Sequence, residues 1–203
     1  MNRPDRRPRR RLDPGQRQET ILTAAAEAFR EHGYAGTAVS VIAARAGASE
    51  ALVYRYFAGK DQLYAALVRR AIDALLAQQA EALRALPDGV PARDRLRATT
   101  LVYLDHIAGH PEAWAVPFRH PGGEPAAAAA VRADARRDYV ERLRALLSPR
   151  TGLRREFALW GYFGFLDAAC LRWVDAGCPA DARWSLIDAA LGALEGALGD
   201  WDA

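Results

Sequence analysis

One short stretch of the chain carries side chains suited to hydrogen bonding with a nucleic acid. Glu50 and Tyr54 are four residues apart and therefore share one helix face, with Arg55 beside them. Val53 and Phe57, also four apart, mark an apolar face on the other side. Carboxylate, hydroxyl and guanidinium groups bond to base edges and phosphate oxygens. The chemistry that this pattern predicts is recognition by the exposed side of a short helix.

Three short helices are predicted to position this face. Apolar residues at three- and four-residue spacing predict the first helix over 16–33, and similar signals predict the second over 37–46 and the third over 49–57. The Thr37 hydroxyl is expected to cap the second helix. Gly47 suits the left-handed conformation that the following turn requires. Two helices joined by such a four-residue turn predict a helix-turn-helix unit.

The complete string of residues is more specific than this general pattern. From Thr37 to Leu63 it reads TAVSVIAARAGASEALVYRYFAGKDQL, preceded by an Ala-Phe-x-x-x-Gly-Tyr element at residues 28–34. These residues resemble the tetracycline-repressor family of bacterial transcriptional regulators. That family's pattern is Ile-Ala-x-x-Ala-Gly-Val-Ser, then Leu-Tyr-x-His/Tyr-Phe, then Lys and Leu. The resemblance covers about residues 17–66, and the chain departs from the pattern at Val41, Ala48, Ala51 and Tyr56.

The resemblance implies a set of DNA-contacting residues around the predicted third helix. Thr37 and Ser40 are expected on phosphates at the start of the second helix, and Tyr54 and Lys60 on other phosphates. Arg55 is expected on guanine, a contact worth about 1–3 kcal/mol of discrimination. The plainer alternatives are that Thr37 and Ser49 are merely caps and that Tyr54 belongs partly to the core, and both are compatible with DNA contact. The full set implied for DNA binding is Thr37, Ser40, Ser49, Glu50, Ala51, Leu52, Tyr54, Arg55, Tyr56 and Lys60.

The remainder of the chain predicts further helices and no strand, so the expected fold class is all-α. Residues 14–66 are predicted to form the DNA-binding domain and residues 67–203 a helical ligand-binding and dimerisation domain. A flexible basic arm is predicted over 1–13. Beyond the third helix, the predicted helices cover 61–86, 96–107, 126–147, 154–175 and 182–198, with a short aromatic segment over 114–118.

The last two predicted helices carry two apolar faces each, which favours a homodimer. One face of the final helix holds Trp184, Ile187, Leu191, Leu194 and Leu198. The other faces are built from small residues that permit close helix packing, namely Gly161, Gly164, Ala168, Ala189, Gly192 and Gly196. A large monomeric core is the weaker alternative, because glycine inside a helix costs about 1 kcal/mol. The family resemblance implies a four-helix bundle between two subunits.

Aromatic residues with a few polar groups predict a pocket for an unidentified small-molecule effector. Most of these side chains are expected to be ordinary core. The Asp167 carboxylate stands out on an apolar helix face, where it is expected to pair with His106 or with a cationic ligand. The candidate pocket residues are Tyr103, His106, Trp114, Phe118, Tyr139, Trp160, Phe163, Asp167 and Cys170.

Charge and composition exclude several classes of protein. Six Arg against two Asp give residues 1–13 a net charge of +4, so the rest of the chain sums to about −1 within a total of +3. The arm is expected either to bind DNA or to be a solvated tail. No signal peptide or membrane-spanning run is recognisable, which predicts a soluble cytoplasmic protein. The two cysteines, Cys170 and Cys178, are expected to be free thiols, although a disulfide is compatible with their number.

No catalytic or cofactor motif accompanies these features. His106 and His110 have a metal-like spacing, but Gly109 and Pro111 end the helix between them, so no metal site is expected. The sequence predicts a ligand-responsive DNA-binding homodimer, a repressor rather than an activator because repression is commoner in the family. Two alternatives remain open. One is a DNA-binding protein without an effector, and the other is an all-α enzyme or carrier whose helix-turn-helix is only structural.

Overall fold

A computed structural model describes residues 13–147 and 152–199, and it confirms the all-α fold class. No strand occurs within these residues. The helices in chain order are α1 (Pro14–Gly36), α2 (Val39–Arg45), α3 (Glu50–Tyr56), α4 (Lys60–Arg84), α5 (Ala92–Gly109), α6 (Pro111–Arg119), α7 (Ala126–Leu146), α8 (Leu153–Asp175) and α9 (Arg183–Leu198), with a 3₁₀ helix (Ala180–Ala182) before α9. Two compact units are present, the first ending at Leu67 and the second beginning at Val68.

The first helix begins and ends at recognisable signals. The Asp13 carboxylate caps α1 by accepting hydrogen bonds from the backbone N–H groups of Gly15 (2.8 Å) and Gln16 (3.3 Å). Regular helix stops at Gly33, which has φ +68° and ψ 172°. Gly33 therefore ends the regular part of α1, as predicted, and the last residues of α1 form a separate turn. The rest of the predicted basic arm lies outside the described residues.

Thr37 does not cap α2, so that prediction is wrong. The residue before α2 is Ala38, which offers no side-chain bond to the helix. Thr37 is buried instead, and its hydroxyl lies 2.7 Å from the Gly33 carbonyl oxygen and 3.1 Å from that of Ala28. The kink at Gly33 turns the chain so that the Thr37 side chain points back into the end of α1.

The core of the first unit is small and is formed by all of its helices. Ile21 of α1, Ile42 of α2, Val53 of α3 and Leu63 of α4 are each 2 % exposed or less. Ala43, at the contact between α1 and α2, is equally buried, and a small residue there lets the two backbones approach. Side chains on one face of each helix thus fix the orientation of α2 and α3 relative to α1.

The core of the second unit lies between α5, α8 and α9. Leu104, Leu159, Ile187 and Leu191 are completely buried, and α6 and α7 cover them with further apolar side chains. Trp184 does not belong to this core, because its side chain is 55 % exposed. The predicted apolar stripe of α9 is therefore correct from Ile187 onward and wrong for its first residue.

Candidate nucleic-acid interface

The turn between α2 and α3 has the geometry that a helix-turn-helix requires. Gly47 has φ +59°, and the backbone N–H of Ala48 donates to the Ala43 carbonyl oxygen at 2.9 Å, which closes the end of α2. A Cβ atom built on Gly47 would meet no atom within 4 Å. Backbone conformation alone, and not a lack of space, therefore favours glycine at this position.

Helix α3 buries one side and exposes the other. The Ser49 hydroxyl caps it by accepting from the Leu52 backbone N–H at 3.2 Å. Val53 is buried, whereas Tyr54 is 51 % exposed and Arg55 is exposed. The polar groups on the outer side are thus held on a short helix whose inner side is anchored in the core.

The structure separates the ten residues implied for DNA binding into three groups. Exposed are Ser40, Ser49, Glu50, Ala51, Tyr54 and Arg55; half-buried are Leu52, Tyr56 and Lys60; and Thr37 is buried. The expectation of a phosphate contact by the Thr37 hydroxyl is corrected, because that hydroxyl points inward to two carbonyl oxygens.

Lys60 has internal partners that the sequence did not indicate. Its ammonium group donates to the carbonyl oxygens of Tyr34 (3.0 Å) and Thr37 (3.1 Å) and lies 4.3 Å from the centre of the Tyr34 ring. The Tyr34 hydroxyl in turn donates to the Asp61 carboxylate. Partial burial, and after it the hydrogen bond to Asp61, raises the pKa of Tyr34 to about 12. Tyr34 also contacts the rings of Phe29 and Tyr64.

A second polar link joins α1 to α2. The Arg45 guanidinium donates two hydrogen bonds to the Glu31 carboxylate, at 2.8 and 2.6 Å, and lies 3.7 Å from Glu27. The hydrogen bond from Arg45 lowers the pKa of Glu31. Because this pair is solvent-exposed, its contribution to stability is small, and its role is to orient the outer side of α2.

The candidate pocket residues of the second unit form a polar and aromatic cluster between α5, α6, α7 and α8. Asp167 pairs with Arg136 of α7, whereas the sequence predicted a pair with His106 or with a cationic ligand. Burial raises the pKa of Asp167, and the Arg136 charge opposes that shift. The Arg136 guanidinium also lies 5.0 Å from the centre of the Phe163 ring. The Tyr139 hydroxyl oxygen, near the same ring, is buried and has no hydrogen-bond partner among residues 13–147 and 152–199.

The other predicted pocket residues are buried or half-buried, with one exception. Trp114 donates its indole N–H to the Tyr103 hydroxyl at 2.9 Å and stacks on Phe118 at 4.6 Å between ring centres. His106 lies 6.0 Å from His110, and burial lowers the pKa of His106. Cys170 is buried and free, and burial raises its pKa to about 12. Trp160 is the exception, because it is 45 % exposed on the outer face of α8, so its assignment to the pocket is wrong.

A set of exposed apolar and small residues, here called the α8–α9 face, lies on the last two helices. It contains a groove of about 460 Å³ between Phe157 and Phe165 on α8 and Ala193 and Ala197 on α9. All six small residues predicted at a dimer interface are exposed on these helices. The α8–α9 face consists of Leu153, Phe157, Trp160, Gly161, Gly164, Phe165, Ala168, Trp184, Ala189, Gly192, Ala193, Gly196 and Ala197.

Two further kinds of site are absent from the part of the chain that the structure describes. No group of three or more His, Cys, Asp or Glu side chains could hold a metal ion there. Among residues 13–147 and 152–199, none of the helices is long and apolar enough to span a bilayer.

Comparison with known proteins identifies the first unit. Residues 21–67 match the family model described as bacterial regulatory proteins, tetR family. The HTH-type transcriptional activator FasR of Mycolicibacterium smegmatis is 37 % identical over 97 residues, which cover 48 % of this chain and 43 % of that protein. The HTH-type transcriptional repressor SCO4008 of Streptomyces coelicolor is 32 % identical over 102 residues, covering 49 % of this chain and 47 % of that protein. The matches thus span less than half the length of either relative.

The fold of both units has a counterpart among solved structures. A tetR-family transcriptional regulator from Streptomyces coelicolor superposes with a TM-score of 0.72 at 20 % identity, covering 93 % of this chain and 91 % of the other. The family model, the two relatives and this similarity agree with the helix-turn-helix geometry of α2 and α3. Residues 21–67 thus match the tetR family of bacterial regulatory proteins, and the chain shares the fold of a solved tetR-family regulator.

Proposed function

We propose that this protein regulates transcription by binding palindromic operator DNA as a homodimer, and that a small molecule controls this binding. The observation that carries the proposal is the outer side of α3. There, exposed polar groups stand on a helix whose inner side is anchored by Val53 in a closed core. A rigid helix with a polar outer side is what the major groove of DNA accommodates.

The exposed residues suggest which side chains contact bases and which contact phosphates. Arg55 is exposed and has no ion-pair partner among the described residues, so its guanidinium is available to a guanine edge. The hydroxyl groups of Ser40 and Tyr54 are exposed and suited to phosphate oxygens. Ser49, Glu50, Ala51 and Leu52 complete the candidate reading surface, and Tyr56 borders it while packing partly on the core.

The α8–α9 face supports the homodimer. Five of its large apolar side chains are between 38 and 77 % exposed in the single chain. Apolar patches of this kind mark interaction sites, and a two-fold axis lets the same patch cover itself on a second copy. Such a dimer presents two recognition helices, which bind half-sites about 34–36 Å apart, one turn of DNA.

The buried cluster around Asp167 supports an effector site in the second unit. The buried Tyr139 hydroxyl lacks a hydrogen-bond partner in the part of the chain that the structure describes, and leaving a buried polar group unsatisfied costs about 1–3 kcal/mol. A ligand with a hydrogen-bond acceptor would remove that cost. The neighbouring rings suit the apolar part of such a ligand, and the Arg136–Asp167 pair suits its polar part. No cofactor is required for this role.

We propose repression as the outcome of operator binding, because a dimer seated on a promoter blocks polymerase. The two relatives carry the names of an activator and of a repressor. The sign of regulation therefore needs a transcription assay on the selected operator. Since the proposed partner is chromosomal DNA, the proposed place of action is the cytoplasm.

Selection of bound sequences from random duplex DNA tests the proposal. We expect enrichment of a palindrome, with an affinity that falls steeply as salt increases because phosphate contacts release counterions. Candidate ligands are then screened for release of the selected duplex. Absence of any salt-sensitive retention would favour a helical enzyme or carrier instead. DNA binding with no responsive ligand would favour a regulator without an effector.

A further inference from the structure

The exposed face of α3 carries one methyl group among its polar groups. Ala51, Tyr54 and Arg55 are exposed, and their spacing of three and four residues places them on one face of the helix. The structure describes α3 in full, and of its exposed residues Ala51 alone has a side chain without a polar atom. An apolar contact point therefore stands beside the hydroxyl and guanidinium groups that are proposed to meet DNA.

The major groove of DNA offers one apolar partner for such a methyl group. Thymine carries its C5-methyl group there, whereas the major-groove edges of the other three bases carry donors and acceptors but no methyl group. A donor or acceptor that faced Ala51 would lose its water and gain no hydrogen bond, which is unfavourable. Contact between two methyl groups removes apolar area from water and is favourable. Thymine is therefore the base that suits this position.

Val41 is a second exposed apolar side chain of the helix-turn-helix, at 38 % exposure on α2. In this motif the first helix crosses the DNA backbone and the second enters the major groove. This arrangement places Val41 of α2 near sugar and phosphate, and Ala51 of α3 near the base edges. Ala51 is thus the better candidate for a contact with a base.

We propose that Ala51 is a specificity-determining residue, which recognises the C5-methyl group of a thymine in each half-site of the operator. The inference rests on the proposed function, since it concerns a base that the same helix contacts. It also predicts where the thymine lies. The Cβ atoms of Ala51 and Arg55 are one helical turn apart, about 6 Å, and base pairs stack at about 3.4 Å. The thymine should therefore lie within about two base-pair steps of the guanine proposed for Arg55.

Replacement of thymine by deoxyuridine tests the proposal, because deoxyuridine pairs in the same way and lacks only the C5-methyl group. Each duplex carries the replacement at one position of the selected operator, in both half-sites. For one such duplex we expect the wild-type protein to bind about fifteenfold more weakly, which is about fourfold for each of two lost methyl contacts. Affinities are measured well below the melting temperature of each protein.

The variant Ala51→Gly removes the methyl group on the protein side. We expect it to bind the thymine duplex and the deoxyuridine duplex within about twofold of each other. Because this ratio compares two duplexes on the same protein, any effect of glycine on the stability of α3 cancels. Val41→Ala is the matched control on α2, and its ratio should stay at the wild-type value. If Ala51→Gly does not fold, Ala51→Ser, which places a hydroxyl group against the thymine methyl, is measured by the same criterion.

Three results would overturn the proposal. The first is an operator without thymine within two steps of a guanine, or one in which no replacement weakens binding. The second is a ratio that persists in Ala51→Gly, which would assign the effect to another side chain, such as that of Tyr54, or to the shape of the DNA. The third is a ratio that disappears in Val41→Ala, which would assign the contact to α2. If the wild-type protein retains no duplex, the proposed function itself fails, which is a separate result.

Discussion

The two units of the molecule differ in what they leave exposed. In the first unit, the exposed large apolar residues among those described are Val41 and Tyr54, which border the polar surface of α3. In the second unit, Phe157, Trp160 and Trp184 are among several large apolar side chains exposed together on the α8–α9 face. The first unit closes its own core and presents hydrogen-bonding groups, whereas the second presents apolar area. The first therefore suits the polar surface of DNA, and the second carries the apolar face at which we propose that the dimer forms.

The strongest test of this difference is to place a charge on the α8–α9 face. Phe157 is 75 % exposed in the single chain and lines the groove. If a second copy covers it, Phe157→Asp buries an unpaired carboxylate, and we expect dimerisation to weaken by at least about 4 kcal/mol, roughly a thousandfold. Light scattering over a range of concentrations measures the change from dimer to monomer.

A matched variant shows whether the position or merely the added charge matters. Ala129 of α7 is exposed and lies outside the α8–α9 face, so Ala129→Asp should leave the dimer intact. A Phe157→Asp protein that remains dimeric at low micromolar concentration would contradict a dimer interface on this face.

At the polar surface of α3, Arg55→Met should weaken operator binding by about 1–3 kcal/mol, roughly five- to 150-fold. We expect this loss because the proposed role of the guanidinium is a bond to a base edge, and the preference for that base should then relax. Binding to operators with single base changes measures both effects. Arg137→Met, which removes an exposed arginine of α7 that pairs with Asp134, is the control and should leave affinity unchanged. Equal effects of the two substitutions would mean that only net charge matters.

A smaller effect is expected from the turn that supports this surface. Gly47 has φ +59°, and a residue with a Cβ atom in that conformation costs about 1–2 kcal/mol. Gly47→Ala should therefore lower the free energy of unfolding of the first unit by about 1 kcal/mol. Gly36→Ala is the control, because Gly36 has no positive φ and an added Cβ would make an ordinary contact of 3.6 Å.

The positions of the tryptophans in the sequence allow unfolding of the two units to be followed separately. All five tryptophans lie at Trp114 or later, so tryptophan fluorescence follows the second unit alone, while circular dichroism follows both. Gly47→Ala should change the dichroism transition and leave the fluorescence transition in place. A shift of the fluorescence transition by the same amount would show that the two units unfold together.

Local signals explain what could be predicted from the sequence. The helix predicted over 154–175 is Leu153–Asp175 in the structure, and the one predicted over 182–198 is Arg183–Leu198, because periodicity and glycine-rich ends are local. The helix-turn-helix could be predicted for the same reason, because its signals are also local. Trp160 also had such a signal, since it lies four residues before Gly164 and eight before Ala168 on one helix face.

Contacts between residues that are far apart in the chain explain most of the predictions that were wrong. Asp167 pairs with Arg136, which is 31 residues away on another helix, and periodicity identifies a face but not the residue opposite it. The end of regular helix at Gly33 was predictable, but the direction of the chain after it was not, and this direction brings the Thr37 hydroxyl to the Ala28 carbonyl oxygen nine residues earlier. The partners of Lys60 lie 26 and 23 residues before it in the chain. Chain topology, rather than residue type, determined these contacts.

The smallest expected effect distinguishes a pocket from an ordinary core. The Tyr139 hydroxyl is buried without a hydrogen-bond partner, so Tyr139→Phe should leave the free energy of unfolding of the second unit unchanged or raise it by up to about 1 kcal/mol. Tyr103→Phe is the contrasting variant, because it removes the acceptor of the buried Trp114 N–H and should cost about 1–3 kcal/mol.

Both variants are followed by tryptophan fluorescence during denaturation without ligand. If Tyr139→Phe destabilises the unit as much as Tyr103→Phe does, the Tyr139 hydroxyl already has a partner and the case for an acceptor-bearing effector is lost. If it does not, the same variant should respond less to any effector that releases the wild-type protein from its operator. A hydroxyl that contributes nothing to folding but is needed for the response is one held ready for a ligand.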